Sequence, residues 1–142
     1  MWNWLKPKSR QTPASPVGFS LPFDPEKRLK SALLCKRAIA LVDAGRRAEA
    51  LSTFQEAVIA DPGYGMAWSD FGICLTELER YSEAAEALSK ACELEPRDFA
   101  SWLHRAKSCA ALGRREEARQ HLNQARRFGS SPEVAELERR LG

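Results

Sequence analysis

No segment of this 142-residue chain is apolar for the roughly 18 residues that a membrane-spanning helix requires. Its opening, Met1-Trp2-Asn3-Trp4-Leu5-Lys6, lacks the apolar stretch of a secretory signal. Histidine is nearly missing. His104 and His121 are the two present, and around neither does the sequence set Ser, Cys or carboxylates in a pattern resembling a triad or a metal site. Glycine-rich phosphate loops are absent, and Asp61-Pro62-Gly63-Tyr64-Gly65 reads as a turn. Cys35, Cys74, Cys92 and Cys109 lie far apart with no Cys-x-x-Cys, which predicts reduced, buried thiols. Paired acids such as Glu116-Glu117 read as first-turn helix charges that face the dipole. Basic residues are not interleaved with exposed aromatics, and the middle of the chain is acidic, which argues against nucleic acid. These absences predict a cytoplasmic protein that is not an enzyme and carries no cofactor and no metal.

What the chain does have is a period of 34 residues. Leu34, Trp68 and Trp102 fall in register, followed by Ala38, Gly72 and Ala106, then by Leu41, Leu75 and Cys109. Ala50, Ala84 and Ala118 come next, then Phe54, Leu88 and Leu122, then Ala57, Ala91 and Ala125. Pro62 and Pro96 close the first two units, and Ser130 stands where a third proline would be. Within each unit the apolar residues recur every three or four places, which gives each helix one buried face. Small residues let neighbouring backbones approach, while Trp, Leu and Phe fill the space between helices. Gly45 and Gly113 fall mid-unit, where a helix must stop in a left-handed residue; the second unit has Glu79-Arg80 there, a poorer stop. Helices are predicted near 25–44, 47–60, 65–78, 81–94, 99–112 and 115–128, with a last one over about 132–141.

These residues resemble the tetratricopeptide repeat family, whose pattern is an early Trp or Leu, a small residue four places on, then Ala-x-x-x-Phe/Leu-x-x-Ala and Pro. The resemblance covers about residues 31–130, and Trp68, Gly72, Leu75, Tyr81, Ala84, Leu88, Ala91 and Pro96 carry it best. It implies an all-α fold: a short right-handed α-solenoid of three helix-turn-helix repeats with a capping helix. The repeats are expected at about 31–64, 65–98 and 99–132 within a domain spanning 24–142. Asp24-Pro25-Glu26 reads as the cap and first turn of the first helix. Val134, Leu137 and Leu141 are expected to face inward from the last helix and seal the stack, with Glu133, Glu136, Glu138, Arg139 and Arg140 in water.

Residues 1–23 are a different kind of chain: Pro7, Pro13, Pro16 and Pro22 with Ser, Thr and Lys between them predict an extended, disordered tail. Trp2, Trp4 and Leu5 beside Lys6, Lys8 and Arg10 suit a membrane surface or a protein pocket. Phe19, Leu21 and Phe23 alternate as in an extended peptide and suit the first helix or the inner groove of the same or another copy, a route to self-association. The net charge of +3 is divided. Residues 1–30 carry six basic and two acidic side chains, residues 31–96 six and eleven, and residues 97–142 ten and six. An acidic middle between basic ends favours attraction of the tail, a basic partner or a neighbouring copy.

In the family that the chain resembles, function resides on the concave face made by the first helix of each pair. That resemblance places Cys35, Lys36 and Ile39 there from the first repeat, with Ala32. Met66, Ser69, Asp70 and Ile73 come from the second, and Leu103, His104 and Lys107, with Ala100, from the third. The expected function is a cytoplasmic adaptor or scaffold that holds a peptide or helix of a partner protein in this groove. Co-chaperones of the family clamp the C-terminal carboxylate of heat-shock chaperones with Lys, Asn, Asn, Lys and Arg. At the matching places this chain has Cys35, Ile39, Asp70, Ala100 and His104, and Asp70 would repel a carboxylate. Phe71-Gly-Ile-Cys-Leu75, His104-Arg-Ala-Lys-Ser-Cys109, Leu112-Gly113 and Glu117-Ala118 also look similar to the chaperones of type III secretion translocators, one alternative. A membrane-peripheral adaptor anchored through the Trp-rich N-terminus is another.

Overall fold

A computed structural model of the chain describes residues 24–142. The expectations for Trp2, Trp4, Phe19, Leu21 and Phe23, and for the tail as a whole, lie outside the described residues. The described residues form seven helices: α1 (Pro25–Asp43), α2 (Arg47–Ala60), α3 (Gly65–Glu77), α4 (Tyr81–Leu94), α5 (Phe99–Ala111), α6 (Arg115–Phe128) and α7 (Pro132–Leu141). Each start matches the sequence expectation. The first helix of each pair stops one residue sooner, because Ala44, Leu78 and Leu112 serve as its C-caps.

The mid-repeat turns are built alike. The amide of Arg46 donates to Leu41 O at 2.8 Å, that of Arg80 to Leu75 O at 2.9 Å and that of Arg114 to Cys109 O at 2.9 Å. The preceding residue donates to Val42, Thr76 or Ala110, which completes a Schellman turn each time. Such a turn needs one left-handed residue, and the positions hold Gly45 at φ +75°, Glu79 at φ +59° and Gly113 at φ +79°. Glu79 is the one side chain that bears this conformation, at a cost of about 1–2 kcal/mol relative to glycine. Glu79→Gly is therefore expected to stabilise the fold by about 0.5–1 kcal/mol in urea titration, after the entropy that glycine adds to the unfolded chain.

Every second helix starts without a side-chain cap, since Arg46, Arg80 and Arg114 stand at its N-cap. In two of them the arginine folds onto the first-turn acid instead. Arg46 and Arg80 each form a forked pair with Glu49 and Glu83, the latter at 2.9 and 2.6 Å. Arg114 and Glu117, at the same places of the third repeat, do not pair. Between repeats, the indole N–H of Trp68 donates to Pro62 O and that of Trp102 to Pro96 O, both at 2.8 Å. Each tryptophan thus fastens a repeat to the turn that closes the one before.

The core lies between the helices in three clusters, with Phe54, Leu88 and Leu122 buried at equivalent places, one in each. Val134, Leu137 and Leu141 of α7 pack against Leu103, Cys109 and Leu122 and seal the last repeat, while Glu133, Glu136, Arg139 and Arg140 stay exposed. The first repeat has the opposite character. Ala67 and Ser101 are wholly buried against the preceding repeat, whereas Leu33, at the equivalent place in α1, is 58% exposed and Leu29 is 61% exposed.

Candidate functional site

The groove is lined by α1, α3 and α5, and the 34-residue register decides which side chains reach it. Ile39 and Met66 are exposed, at 46% and 58%, and Ile73 is partly exposed between them. Lys36 stands in solvent, and Asp70, His104 and Lys107 are half-buried. Cys35, Ser69 and Leu103 occupy one common register place, and all three are buried. Cys35 and Leu103 pack in the seam between helices, whereas Ser69 lines the floor of the groove and hydrogen-bonds Asp98. A cavity of about 480 Å³ opens between α3 and α5, bounded by Met66, Asp70, Ile73 and Asp98. A second, of about 590 Å³, continues past Lys107 to Glu133 and Glu136 of α7.

Hydrogen bonds fix the floor of the first cavity. Asp98, the N-cap of α5, accepts from the Ser101 amide at 3.2 Å and from the Ser69 hydroxyl at 2.9 Å. The Ser101 hydroxyl also points at this carboxylate and lies 2.8 Å from that of Ser69. Asp98 is thus committed to joining α3 to α5. Asp70 has no hydrogen bond or ion pair among the described residues, and burial and the neighbouring Asp98 push its carboxyl up to about 6. Across the groove, burial and Lys107 bring His104 down to about 4, and its Nδ1 is buried without a partner. Lys107 is engaged by Glu133 at 2.5 Å, which in turn lowers the glutamate's proton affinity.

These two groups act on stability in opposite directions. Asp70 is held protonated more strongly in the folded chain, so its contribution to stability falls as pH rises from about 4 through about 6. His104 is held neutral, so its contribution is lost as pH falls from about 6.5 toward about 4. Asp70→Asn is expected to be about 1–2 kcal/mol more stable than the parent at about pH 7.5, allowing for solvent screening. At about pH 4 the two proteins are expected to coincide within about 0.5 kcal/mol, as read from urea midpoints.

Sequence profiles of the tetratricopeptide repeat family match residues 35–96 and 75–141. The chain belongs to the tetratricopeptide repeat family. The seven helices are its three repeats and a capping helix, arranged as a short α-solenoid. Among solved structures, the first tetratricopeptide domain of Spaghetti (RPAP3), bound to the HSP90 peptide SRMEEVD, superposes with a TM-score of 0.77 at 17% identity. That match covers 80% of this chain and 91% of the other. The Arabidopsis OM64 tetratricopeptide domain gives 0.77 at 17% identity, covering 81% and 96%. The Yersinia enterocolitica type III secretion chaperone SycD, in complex with a peptide of the translocator YopD, gives 0.65 at 22% identity, covering 78% and 85%. No curated protein sequence matches the chain.

The α5–α6 turn brings Cys109, Glu117 and His121 together, with their ligand atoms within 4.8 Å of one another, a grouping that spans two helices and that no local sequence pattern displays. All four cysteines are free and buried, and burial raises their thiols, Cys35 and Cys92 to about 11.

Proposed function

We propose that this tetratricopeptide domain is a non-enzymatic adaptor that holds a peptide segment of a partner protein in its concave groove. The observation that carries the reading is the apolar row of Ile39, Met66 and the partly exposed Ile73 set around an Asp70 carboxylate that has no hydrogen bond or ion pair among the described residues. Apolar anchors supply the affinity, and a half-buried acid with no counter-charge among the described residues selects a cation and fixes direction. The ligand is accordingly a short helix or extended segment with aliphatic side chains and a Lys or Arg opposite Asp70. Peptide complexes of Spaghetti and of SycD support the mode of binding, since both share this fold. An acidic peptide such as the SRMEEVD of the Spaghetti complex is a poor fit, because Asp70 would repel it. A cytoplasmic setting is in keeping with four reduced thiols, and no described helix is long and apolar enough to cross a membrane.

Display of a random peptide library on the immobilised protein tests the reading. Enriched peptides are expected to pair aliphatic residues with a basic one. Their affinity for Ile39→Glu/Ile73→Glu is expected to fall at least tenfold by calorimetry, roughly the 1.4 kcal/mol or more lost when anchors are removed. Both positions are solvent-accessible, and circular dichroism should confirm that the variant folds. Equal affinity for parent and variant would remove the groove as the binding site.

A further inference from the structure

We propose that Cys109, Glu117 and His121 form a binding site for a zinc-like divalent cation in the seam between α4, α5 and α6. The three donors are a sulfur, an oxygen and an imidazole nitrogen, the set that Zn²⁺ takes in three-ligand sites with a fourth position left open. Cys109 comes from the end of α5, while Glu117 and His121 stand four residues apart on one face of α6. Their ligand atoms already lie within 4.8 Å of one another. With Zn–S of about 2.3 Å and Zn–N of about 2.0 Å, ligand atoms in a tetrahedral site stand about 3.5 Å apart. The Cys109 Sγ–Glu117 Oε2 distance is 3.9 Å, and the exposed Glu117 side chain is free to rotate toward the site. A cleft of about 180 Å³, walled by Ser82 and Glu86 of α4, leaves the fourth position open to water.

The repeat register shows that this convergence is peculiar to the third unit. Where Cys109 stands, the first two repeats have Leu41 and Leu75; where His121 stands, they have Thr53 and Ala87. Glu117 has equivalents in Glu49 and Glu83, but those are taken up by Arg46 and Arg80. Glu117 leaves Arg114 and turns to the Cys109 thiol, with Sγ 3.9 Å from Oε2. Two substitutions and one broken ion pair therefore meet at a single point.

The electrostatics are mixed and set the expected strength. A thiolate and a carboxylate offset a divalent charge, and a neutral imidazole supplies the third donor. Arg105 and Arg114 also line the cleft. The cation displaces the thiol proton to solvent, so binding strengthens as pH rises. Both arginines repel the incoming cation, and the site is accordingly moderate rather than tight. Arg105 lies 5.5 Å from the Trp102 ring, whose centroid is 5.7 Å from that of His121; this stack holds the imidazole in place.

The test is titration of the full reduced chain with Co²⁺, a spectroscopic stand-in for Zn²⁺. A thiolate-to-cobalt charge-transfer band with the visible bands of a tetrahedral ion is expected at one equivalent, and Zn²⁺ is expected to abolish it. Cys109→Leu, which restores the residue of the other repeats, and Cys109→Ala should both lose the band. Glu117→Gln and His121→Ala should weaken binding by tenfold or more, since even outer-shell partners are worth about 10–100-fold. Zn²⁺ should raise the parent's Tm by a few degrees and leave Cys109→Ala unmoved. Absence of the band in the parent, or its survival in the folded Cys109 variants, would overturn the proposal.

Discussion

Gly72→Val is expected to lower the stability of this domain by about 3 kcal/mol, a large part of what a single domain possesses. Gly72 sits where α3 crosses α4. A Cβ added there would lie 2.4 Å from Leu88 Cγ, 2.6 Å from Cδ2 and 3.3 Å from the Leu88 amide nitrogen. Leu88 is fully buried, and the third contact is to its backbone, which a change of rotamer cannot relieve. The equivalent Ala38 and Ala106 are also fully buried, so the other two repeats accommodate a Cβ at this crossing and the second does not. A double-mutant cycle with Leu88→Ala identifies the cause. If the clash is with Leu88, the two losses combine to less than their sum by about 1 kcal/mol or more. Strict additivity in urea titration would place the defect elsewhere.

Leu137→Ala is expected to cost about 2–4 kcal/mol, the usual range for emptying a closed leucine site. The side chain is 2% exposed and meets Leu103, Ala106, Cys109 and Leu122 across the end of the stack. Only a ten-residue helix holds it there, so the surroundings have little means of collapsing onto the space. Leu29→Ala, at the other end of the array, is expected to change stability by no more than about 0.5 kcal/mol because Leu29 is 61% exposed. Thermal melts of the two variants side by side make the comparison. Equal shifts would mean that α7 is not the seal its packing indicates.

Much of the fold could be read from the sequence because a tandem array repeats its own evidence. The residue that ends the first helix of each pair was visible as Gly45 and Gly113, and Glu79 stood out in the same register before its φ of +59° was known. The groove was less legible. The period marks which residues share a place but not how each helix is rolled against its neighbours. Cys35, Ser69 and Leu103 share the place next to Lys36, Asp70 and His104, and a small roll decides which row meets solvent. Nothing in a cysteine, a serine and a leucine reports that roll. The convergence of Cys109, Glu117 and His121 was hidden for a different reason: it spans two helices and depends on a turn. Its trace was the loss of the repeat's own residues at two places within one unit.

The two ends of the stack differ, and the difference bears on symmetry. Indefinite head-to-tail growth requires one surface that fits another surface on the same molecule. Here α7 turns a charged surface outward with Glu133, Glu136, Arg139 and Arg140, while α1 presents Leu29 and Leu33. The first surface is charged, and the second is an apolar strip flanked by Glu26, Lys30 and Arg37. A head-to-tail contact between copies would set these apolar side chains of α1 against the charged outer face of α7. A repeat architecture that could in principle polymerise is limited at one end by its own last helix.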